Sequence, residues 1–305
     1  MKTRIALGID IGGTNTKVGL VTHEGESIAR ETVKTPKSRT LEDVMRVVTE
    51  VKEDLLSRHN VTPEGIGIGA PGVVDIDREI VVEAPNFPTW TGLPLRRIIS
   101  ERFNLPAEME NDVNAFGLGE HLWGAAQGLH NFVAVAVGTG VGGAIFIDGS
   151  LYRGSHGAAG EMGFTILSPD GPQAGGTVGV LEAYIGRRSF DEEVCKLFPT
   201  GEFPTPRKIT QLAAEGEERA RFIQSKIAGY LAEAAATWVH LLNPEAIVIG
   251  GGTTAGADYL LAEFERKLRD RARASHTRHL QVLPGKLGYF AGVLGAAAAW
   301  FSPHE

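Results

Sequence analysis

Two glycine-rich stretches of this sequence contain the residues best suited to binding phosphate. The first holds Asp10, Gly12, Gly13, Thr14 and Thr16, and the second reads Gly138-Thr139-Gly140-Val141-Gly142-Gly143. Glycine leaves backbone N–H groups open to an anion and tolerates the positive φ of tight turns. We expect Asp10 to hold a Mg²⁺-bound water while Thr14 and neighbouring amides contact phosphate oxygens. Taken alone, each stretch is more often an ordinary tight hairpin, and neither has the P-loop spacing.

A third candidate is an acid in the segment Glu110-Asn111-Asp112-Val113-Asn114. The segment lies at a predicted strand-to-helix junction, where loops present side chains to a cleft. Asp112 can accept the proton of an attacking hydroxyl, and Asn111 can orient that hydroxyl. Asp112 equally suits the cap of the following helix, and the segment alone does not decide between these roles.

Two further carboxylates, Glu161 and Glu182, stand among small and apolar residues. A carboxylate in such surroundings needs hydrogen-bond donors, and sugar hydroxyls are good donors. The alternative for each is a surface acid or a helix cap. The nine histidines show no HExxH or other metal-ligand spacing, so we interpret them as surface or packing residues.

Hydrophobic periodicity predicts the elements that position these residues. Strands are predicted at 5–10, 16–21, 27–32, 65–69 and 107–110, and helices at 41–58, 94–102 and from 112 toward 126. The opening β-turn-β pattern then recurs, with strands at 132–137 and 144–147 around the turn 138–143. Helices at 227–242 and 292–301 flank a strand at 246–249 and the triplet Gly250-Gly251-Gly252. The recurrence predicts two lobes of related topology facing one cleft.

Composition excludes several classes of protein. The 305 residues are enough for two domains, and 43% hydrophobic with 22% charged residues is typical of a globular chain rather than a membrane protein. The net charge of -7 and the absence of a Lys or Arg tract argue against a nucleic-acid partner. A single cysteine, Cys195, allows neither a disulfide framework nor a cysteine metal cluster. With no leader-like segment at the start, we expect a cytoplasmic protein.

In their order along nearly the whole chain, these segments resemble the ROK family (repressors, uncharacterised open reading frames and sugar kinases). The segments 10–14 and 138–143 resemble its two phosphate loops, 69–72 its sugar-side loop, 110–112 its catalytic segment, 160–163 its sugar-binding motif and 250–252 its adenosine-side glycines. The resemblance implies the α/β fold of the actin-like ATPase (ribonuclease H-like) superfamily, with two lobes and a central cleft. It favours Asp112 as the catalytic base over the helix cap.

The resemblance also implies a ligand set and a domain division. The sugar ligands are then Gly72, Asn86, Asn111, Asp112, Glu161 and Glu182. The nucleotide ligands are Asp10, Gly12, Gly13, Thr14, Thr16, Gly138, Thr139, Gly140, Gly142, Gly251 and Gly252. The first lobe is expected over 1–112, with a C-terminal helix at 291–305 packing back on it. The second lobe, 113–290, would carry nucleotide and dimerisation elements of a homodimer.

The implied activity is ATP- and Mg²⁺-dependent phosphorylation of a hexose, with glucose at its 6-hydroxyl the leading substrate. Fructose, mannose and N-acetylhexosamines are the alternatives, and a non-catalytic sugar sensor is the alternative of a different class. The family's repressors carry an N-terminal DNA-binding domain, whereas the first strand here starts near Arg4. We therefore expect an enzyme rather than a repressor.

One departure from the family pattern concerns zinc. The family commonly has a histidine after its glutamate motif and a CxCGxxGC cluster, which together bind zinc. Here Phe164 takes the histidine position, and Gln173, Gly175 and Val180 take the cysteine positions. We predict that the protein holds no structural zinc and that burial of Phe164 and Val180 replaces it. The lost histidine leaves the choice of sugar open.

Overall fold

The computed structural model describes residues 3–199 and 203–302. The chain divides into two compact units, Met1–Gly128 with Leu151–Ala159 and Phe290–Glu305, and Leu129–Ser150 with Gly160–Tyr289. The predicted domain boundary after residue 112 stays a prediction, and the helix that follows it lies within the first compact unit. Across the two described ranges, no helix is both long and apolar enough to cross a membrane.

The elements follow the predicted β-β-β-α opening. Strands β1–β7 are Ile5–Ile11, Asn15–Thr22, Ser27–Lys34, Gly65–Ala70, Val73–Val74, Val81–Glu83 and Ala107–Asn111, and helices α1–α3 are Leu41–His59, Leu95–Phe103 and Asp112–Trp123. Strands β8–β14 are Phe132–Val137, Val141–Ile147, Ser150–Leu151, Gln173–Ala174, Thr177–Val178, Ala246–Gly250 and Gln281–Pro284. Helices α4–α10 are Leu181–Ile185, Arg187–Leu197, Pro206–Ala214, Glu218–Leu242, Asp258–Arg271, Ala274–Thr277 and Ala291–Phe301.

The two main sheets have the same topology. The first is ordered β3-β2-β1-β4-β7 and the second β10-β9-β8-β13-β14. In each sheet the central strand, β1 or β8, pairs antiparallel with the strand that follows it and parallel with β4 or β13. Since parallel neighbours end at the same edge, each sheet gathers several carboxyl ends at one edge. The recurrence predicted from the sequence agrees with this arrangement.

Helix ends match the residue types found there. Thr40 caps α1 by accepting the amide of Asp43, and Asn60 closes it in the left-handed conformation. Asn243 closes α7 in the same way, as the Asn-Pro pair predicted. However, α7 begins at Glu218 rather than near residue 227.

Helix α10 lies directly on the first sheet because glycines face it. A Cβ placed on Gly67 of β4 would lie 1.7 Å from the carbonyl oxygen of Ala296, and one on Gly8 of β1 would lie 2.4 Å from that of Val293. Every residue from 293 to 299 is buried. The glycines therefore let the helix backbone approach the strands more closely than any side chain would allow.

A carboxylate ties the starts of β8 and β13 together in the second unit. Glu245 accepts hydrogen bonds from the amides of Asn131 at 2.7 Å and His130 at 2.8 Å. These donors favour the ionised form, so they lower the pKa of Glu245 below its ordinary value. The Oδ1 atom of Asn131 in turn accepts a hydrogen bond from the amide of Asp148, in the β9–β10 turn, at 3.1 Å.

We expect Gly67→Ala to lower the free energy of unfolding by about 3 kcal/mol, because the added methyl group must displace α10. Gly229→Ala is the control, since its Cβ in α7 would meet only Lys267 Nζ at 3.6 Å. Alanine in that helix interior should stabilise by about 0.5 to 1 kcal/mol. Denaturant unfolding of both variants measures the difference, and equal stabilities would show that α10 does not pack as described.

Candidate functional site

The carboxyl ends of β1, β4 and β7 bring Asp10 and Asp112 to one edge of the first sheet. Asp10 pairs with Gly69 across β1 and β4, and Gly69 pairs with Glu110 across β4 and β7. A Cβ on Gly69 would lie 3.8 Å from the Cα of Asp10 and 3.8 Å from the Cα of Asp112. Gly69 therefore lies between Asp10 and Asp112, in ordinary van der Waals range of both, at the sheet edge that carries the two carboxylates.

The N-terminus of α3 is capped by Asn111, not by Asp112. Asn111 Oδ1 accepts from the amides of Val113 at 2.9 Å and Asn114 at 3.0 Å. Asp112 is the first residue of the helix, and its Oδ1 accepts from Asn111 Nδ2 at 3.1 Å. Asp112 Oδ1 also accepts from the Val113 amide at 3.0 Å, so Asn111 is the N-cap residue and Asp112 shares one of the first-turn amides with it.

Asn111 also joins Asp112 to the sugar-side loop. Its Nδ2 donates to the carbonyl oxygen of Gly72 at 2.8 Å. Gly72 has a φ of +83°, and a Cβ there would lie 2.0 Å from the carbonyl oxygen of Glu83. Three predicted sugar ligands, Gly72, Asn111 and Asp112, are therefore in direct sequence or hydrogen-bond contact. The Asn111 amide is already engaged, so its orienting of a sugar hydroxyl stays a prediction.

An ion pair that sequence reasoning missed lies at the same junction. Arg153 donates to Glu110 Oε2 from Nε at 2.9 Å, and its Nη2 lies 2.7 Å from the same oxygen. Glu110 is only 2% exposed, and Asn114 Nδ2 approaches its other oxygen at 3.3 Å. A buried carboxylate needs such a partner. The two residues are 43 positions apart, and no local pattern indicates the pair.

The first glycine loop is supported from inside by two hydroxyls. Thr16 is fully buried, and its Oγ1 lies 2.9 Å from Thr35 Oγ1, which donates to the carbonyl oxygen of Gly12 at 2.6 Å. Thr14, in contrast, is exposed. In this structure Thr16, a predicted nucleotide ligand, braces the loop from below, whereas Thr14 lies on its open side.

Asp10 is 9% exposed and has a cationic neighbour. The Nζ atom of Lys17, in β2, lies 3.0 Å from Asp10 Oδ2. The sequence analysis did not indicate Lys17. A Cβ on Gly292 in the first turn of α10 would lie 2.1 Å from that same oxygen. A single carboxylate suits Mg²⁺, which is usually held through water by one or two carboxylates and the substrate's phosphates. Among the described residues, no group of three or more His, Cys, Asp or Glu could hold a metal ion.

The second glycine loop is shorter than predicted. Only Gly138, Thr139 and Gly140 form the turn, closed by a Gly138 amide that donates to the Gly140 carbonyl at 2.9 Å. The predicted turn range 138–143 was wrong, because β9 already begins at Val141, which pairs with Val137 of β8. Gly142, a predicted nucleotide ligand, therefore lies within a strand. The backbone at Gly138 is open, with no atom within 4 Å of an added Cβ.

The glycines after β13 lie beside this second loop. Gly251 has a φ of +98°, and a Cβ there would lie 2.3 Å from the carbonyl oxygen of Val137, the last residue of β8. The space around Gly252 is open. The structure thus brings two predicted nucleotide elements, 138–140 and 251–252, together within the second unit.

An open cavity of about 830 Å³ adjoins this loop. It is lined by Thr139, Arg187, Arg188, Asp191, Glu192, Cys195 and Lys196. The amide of Arg187, the first residue of α5, donates to the carbonyl oxygen of Thr139 at 3.0 Å and joins the helix to the loop. Helix α5 was not predicted from the sequence, so the six lining residues that it contributes were missed, whereas Thr139 was a predicted nucleotide ligand.

The motif around Glu161 is held against β9 by its glycines. Gly160 has a φ of +93°, and a Cβ on it would lie 2.6 Å from the carbonyl oxygen of Gly143. A Cβ on Gly163 would lie 2.1 Å from the carbonyl oxygen of Val141, and Met162 between them is buried. Glu161 itself is exposed. The glycines and Met162 therefore anchor the segment while the carboxylate faces outward.

Glu182 is attached to the second glycine loop. Its Oε2 accepts from the amide of Val141 at 2.8 Å, and a Cβ on Gly140 would lie 2.3 Å from that oxygen. The sequence reading treated Glu182 purely as a sugar ligand. Because Glu182 also contacts this loop, a ligand that binds Glu182 would be linked through that side chain to the predicted phosphate site.

Backbone hydrogen bonds hold the segment where the family has its zinc cluster. Strands β11 and β12 form a hairpin whose turn is Gly175-Gly176, both with positive φ. Gly179, with a φ of +72°, accepts from Leu167 at 2.8 Å and donates to Pro172 at 2.7 Å. The chain therefore closes this segment by turn chemistry that only glycine adopts readily.

The prediction that Phe164 and Val180 are both buried was right for Val180 and wrong for Phe164. Val180 is fully buried, whereas Phe164 is 39% exposed. The Phe164 ring lies over the hairpin turn, with Cζ 2.7 Å from a Cβ placed on Gly175. Phe164 therefore covers the glycine turn while part of its ring stays exposed to solvent.

Comparison with known proteins agrees with these observations. The model of the ROK family matches residues 6–302. A glucokinase of Thermotoga maritima is 34% identical, with 96% of each chain covered, and a xylose repressor of Caldicellulosiruptor bescii is 30% identical, with 96% of this chain and 77% of the repressor covered. A ROK family glucokinase from Streptomyces griseus, solved with glucose and AMPPNP, aligns with a TM-score of 0.84 and 31% identity over 96% of this chain and 98% of that chain. The predicted actin-like ATPase fold is confirmed.

We expect Val180→Ala to lower the free energy of unfolding by about 1.5 to 3 kcal/mol and Phe164→Ala by less than about 1 kcal/mol, since only Val180 is fully removed from water. Because we predict no structural zinc, we also expect a chelator to leave the melting temperature unchanged. Thermal unfolding with and without chelator, together with elemental analysis, measures both effects. One zinc per chain, or a larger loss for Phe164→Ala, would contradict this account of the segment.

Proposed function

Since this chain belongs to the ROK family and is a sugar kinase, we propose that it transfers the γ-phosphoryl group of ATP to the 6-hydroxyl of glucose. The observation that supports it most is the shared sheet edge that carries Asp10 and Asp112 on either side of Gly69. One carboxylate near the phosphates and one near the attacking hydroxyl is the division of roles that phosphoryl transfer to an alcohol requires.

Asp112 is the catalytic base of this proposal. It accepts the proton of the sugar hydroxyl as the oxygen attacks the γ-phosphorus, the new O–P bond forms and the bond to the leaving ADP oxygen breaks. Asp112 is the first residue of α3, where its Oδ1 accepts from the amide of Val113 at 3.0 Å. Asn111, which caps the helix and bonds to Asp112, fixes the position of that carboxylate.

The two glycine loops are the proposed phosphate sites. Within the first unit the proposed phosphate contacts are Gly12, Gly13 and Thr14, and within the second unit they are Gly138, Thr139 and Gly140. Mg²⁺, held through water by Asp10, would neutralise charge on the phosphate oxygens during transfer. The cavity beside Thr139 supports a nucleotide donor, because its volume of about 830 Å³ is in the range of small-molecule sites.

The proposed sugar ligands are Asn86, Gly72, Asn111, Glu161 and Glu182. Glucose is favoured because the similar Streptomyces griseus glucokinase was solved with glucose. Fructose, mannose and N-acetylhexosamines stay as alternatives, since Phe164 replaces a histidine of the family pattern. A homodimer, a cytoplasmic location and a partner set without nucleic acid stay predictions.

A non-catalytic sugar sensor is the second candidate, because a xylose repressor is among the similar proteins. A coupled assay for ADP release over a panel of hexoses separates the two. Turnover with one hexose supports the kinase and identifies its substrate, whereas sugar binding without turnover for any hexose supports the sensor.

We expect Asp112→Asn to lower kcat by about 10² to 10⁴-fold, the usual contribution of a general base. Asp148→Asn is the matched control, since Asp148 has a φ of +52° in a turn and asparagine tolerates that conformation. Steady-state assays at saturating glucose, with melting curves to check folding, measure the effect. A variant that keeps more than about a tenth of wild-type kcat would remove Asp112 from the role of base.

The carboxylates Glu161 and Glu182 should differ in what they bind. Glu161→Ala should weaken sugar binding alone, whereas Glu182→Ala should weaken both sugar and nucleotide, because the Val141 amide loses its acceptor beside Gly140. Each loss is expected at about 1.5 to 3 kcal/mol for a hydrogen bond to a charged group. Calorimetry with glucose and with AMPPNP measures them, and an unchanged AMPPNP affinity in Glu182→Ala would contradict the shared role.

A further inference from the structure

Arg39 joins two loops of the first unit that the proposed function assigns to different ligands. Its Nη2 donates to the carbonyl oxygen of Gly13, in the first phosphate loop, at 3.2 Å. Its Nη1 donates to the carbonyl oxygen of Asn86, a proposed sugar ligand, at 3.0 Å. One guanidinium thus spans the backbone of both loops.

The position of Arg39 is fixed from behind by buried aromatic residues. Trp90, which is fully buried, donates Nε1 to the Arg39 carbonyl oxygen at 3.0 Å. The Arg39 guanidinium lies 5.9 Å from the ring centroid of Phe87, which is also fully buried. Arg39 has a φ of +51°, a conformation uncommon for residues other than glycine. The surroundings therefore hold this arginine in an unfavourable backbone state in which its side chain reaches both loops.

The two loops also touch each other. A Cβ placed on Gly13 would lie 3.7 Å from Cβ and Cγ of Asn86, which is ordinary van der Waals contact. The side chain of Asn86 therefore packs against the phosphate loop while Arg39 holds its carbonyl. A ligand that orders Gly13 would act on Asn86 through both of these contacts.

We propose that Arg39 is a positioning residue that couples nucleotide binding at Gly13 to sugar binding at Asn86. The inference rests on the proposed function, because that function assigns the two loops to ATP and sugar. A ligand that fixes one loop also fixes the other through the guanidinium, so the second ligand meets a loop already ordered. The coupling is reciprocal, since each ligand must raise the affinity for the other by the same factor.

Arginine is suited to this role in a way that lysine is not. Its planar guanidinium offers two Nη groups in fixed directions, one for each carbonyl, whereas an ammonium is a point donor on a flexible stem. Arg39→Lys should therefore keep the charge and lose most of the coupling. Arg39→Gly removes the side chain while glycine adopts the positive φ without strain.

The test measures the dissociation constant of AMPPNP with and without saturating glucose, or with the hexose bound most tightly in the panel. In the wild type we expect the sugar to tighten AMPPNP binding by about 5 to 150-fold. In Arg39→Gly the factor should fall to within about twofold of one, with AMPPNP affinity measured alone changing by less than about threefold. Arg46→Ala, which removes an exposed arginine paired with Glu50 on α1, is the control and should keep the wild-type factor.

The outcomes separate this inference from the proposed function, because binding of a non-hydrolysable nucleotide needs no turnover. A wild-type factor of one, or a wild-type factor retained in Arg39→Gly, overturns the coupling role even if the protein phosphorylates glucose. Coupling that Arg39→Gly abolishes, in a protein that turns over no hexose, upholds the inference and overturns the kinase proposal. If Arg39→Gly fails to fold, Arg39→Lys replaces it: loss of the coupling in Arg39→Lys supports the inference, and a wild-type factor overturns it. Failure of every hexose to bind contradicts both proposals.

Discussion

The close approach of α10 to the first sheet is the constraint on which the rest of the first unit depends. Gly8 and Gly67 have no side chains because carbonyl oxygens of the helix occupy that space. The same packing sets the site, since Gly292 in the first turn of the helix leaves room for the Asp10 carboxylate. The end of β1 that carries Asp10 is thus fixed by packing against α10 and by the ion pair of Asp10 with Lys17.

The candidate residues share a second feature, which is that polar contacts with backbone groups hold them in place. Asn111 uses its side chain on the amides of α3, Glu182 accepts the amide of Val141, and Arg39 donates to two carbonyl groups. A backbone group moves only with the loop or helix that contains it. The position of each of these side chains is therefore tied to the position of that loop or helix end. Such contacts make a site sensitive to ligand-induced ordering of its loops, which isolated surface side chains are not.

Much of the fold could be predicted because local sequence determines it. The short apolar runs of β1 and β2 and the apolar face of α1 are visible within a few residues of sequence, and Asn243 marks the end of α7. The second glycine loop was predicted too long, because Gly143 is required by packing against Met162 rather than by a turn. Phe164 was expected to be buried on hydrophobicity alone, whereas its ring lies against the Gly175 turn and stays partly exposed. Arg39 and Arg153 act through residues far away along the chain, so no local pattern could indicate their roles.

The chain passes between its two compact units at four places, near residues 128, 150, 159 and 289. During synthesis, the strands of the first sheet leave the ribosome long before α10, which is made after residue 290. Until then the apolar face around Gly8 and Gly67 has no cover, and before that Glu110 has no ion-pair partner until Arg153 has been made. The nascent first unit therefore has to remain incomplete while the second is translated, a period in which exposed strands are open to misassembly and to chaperones.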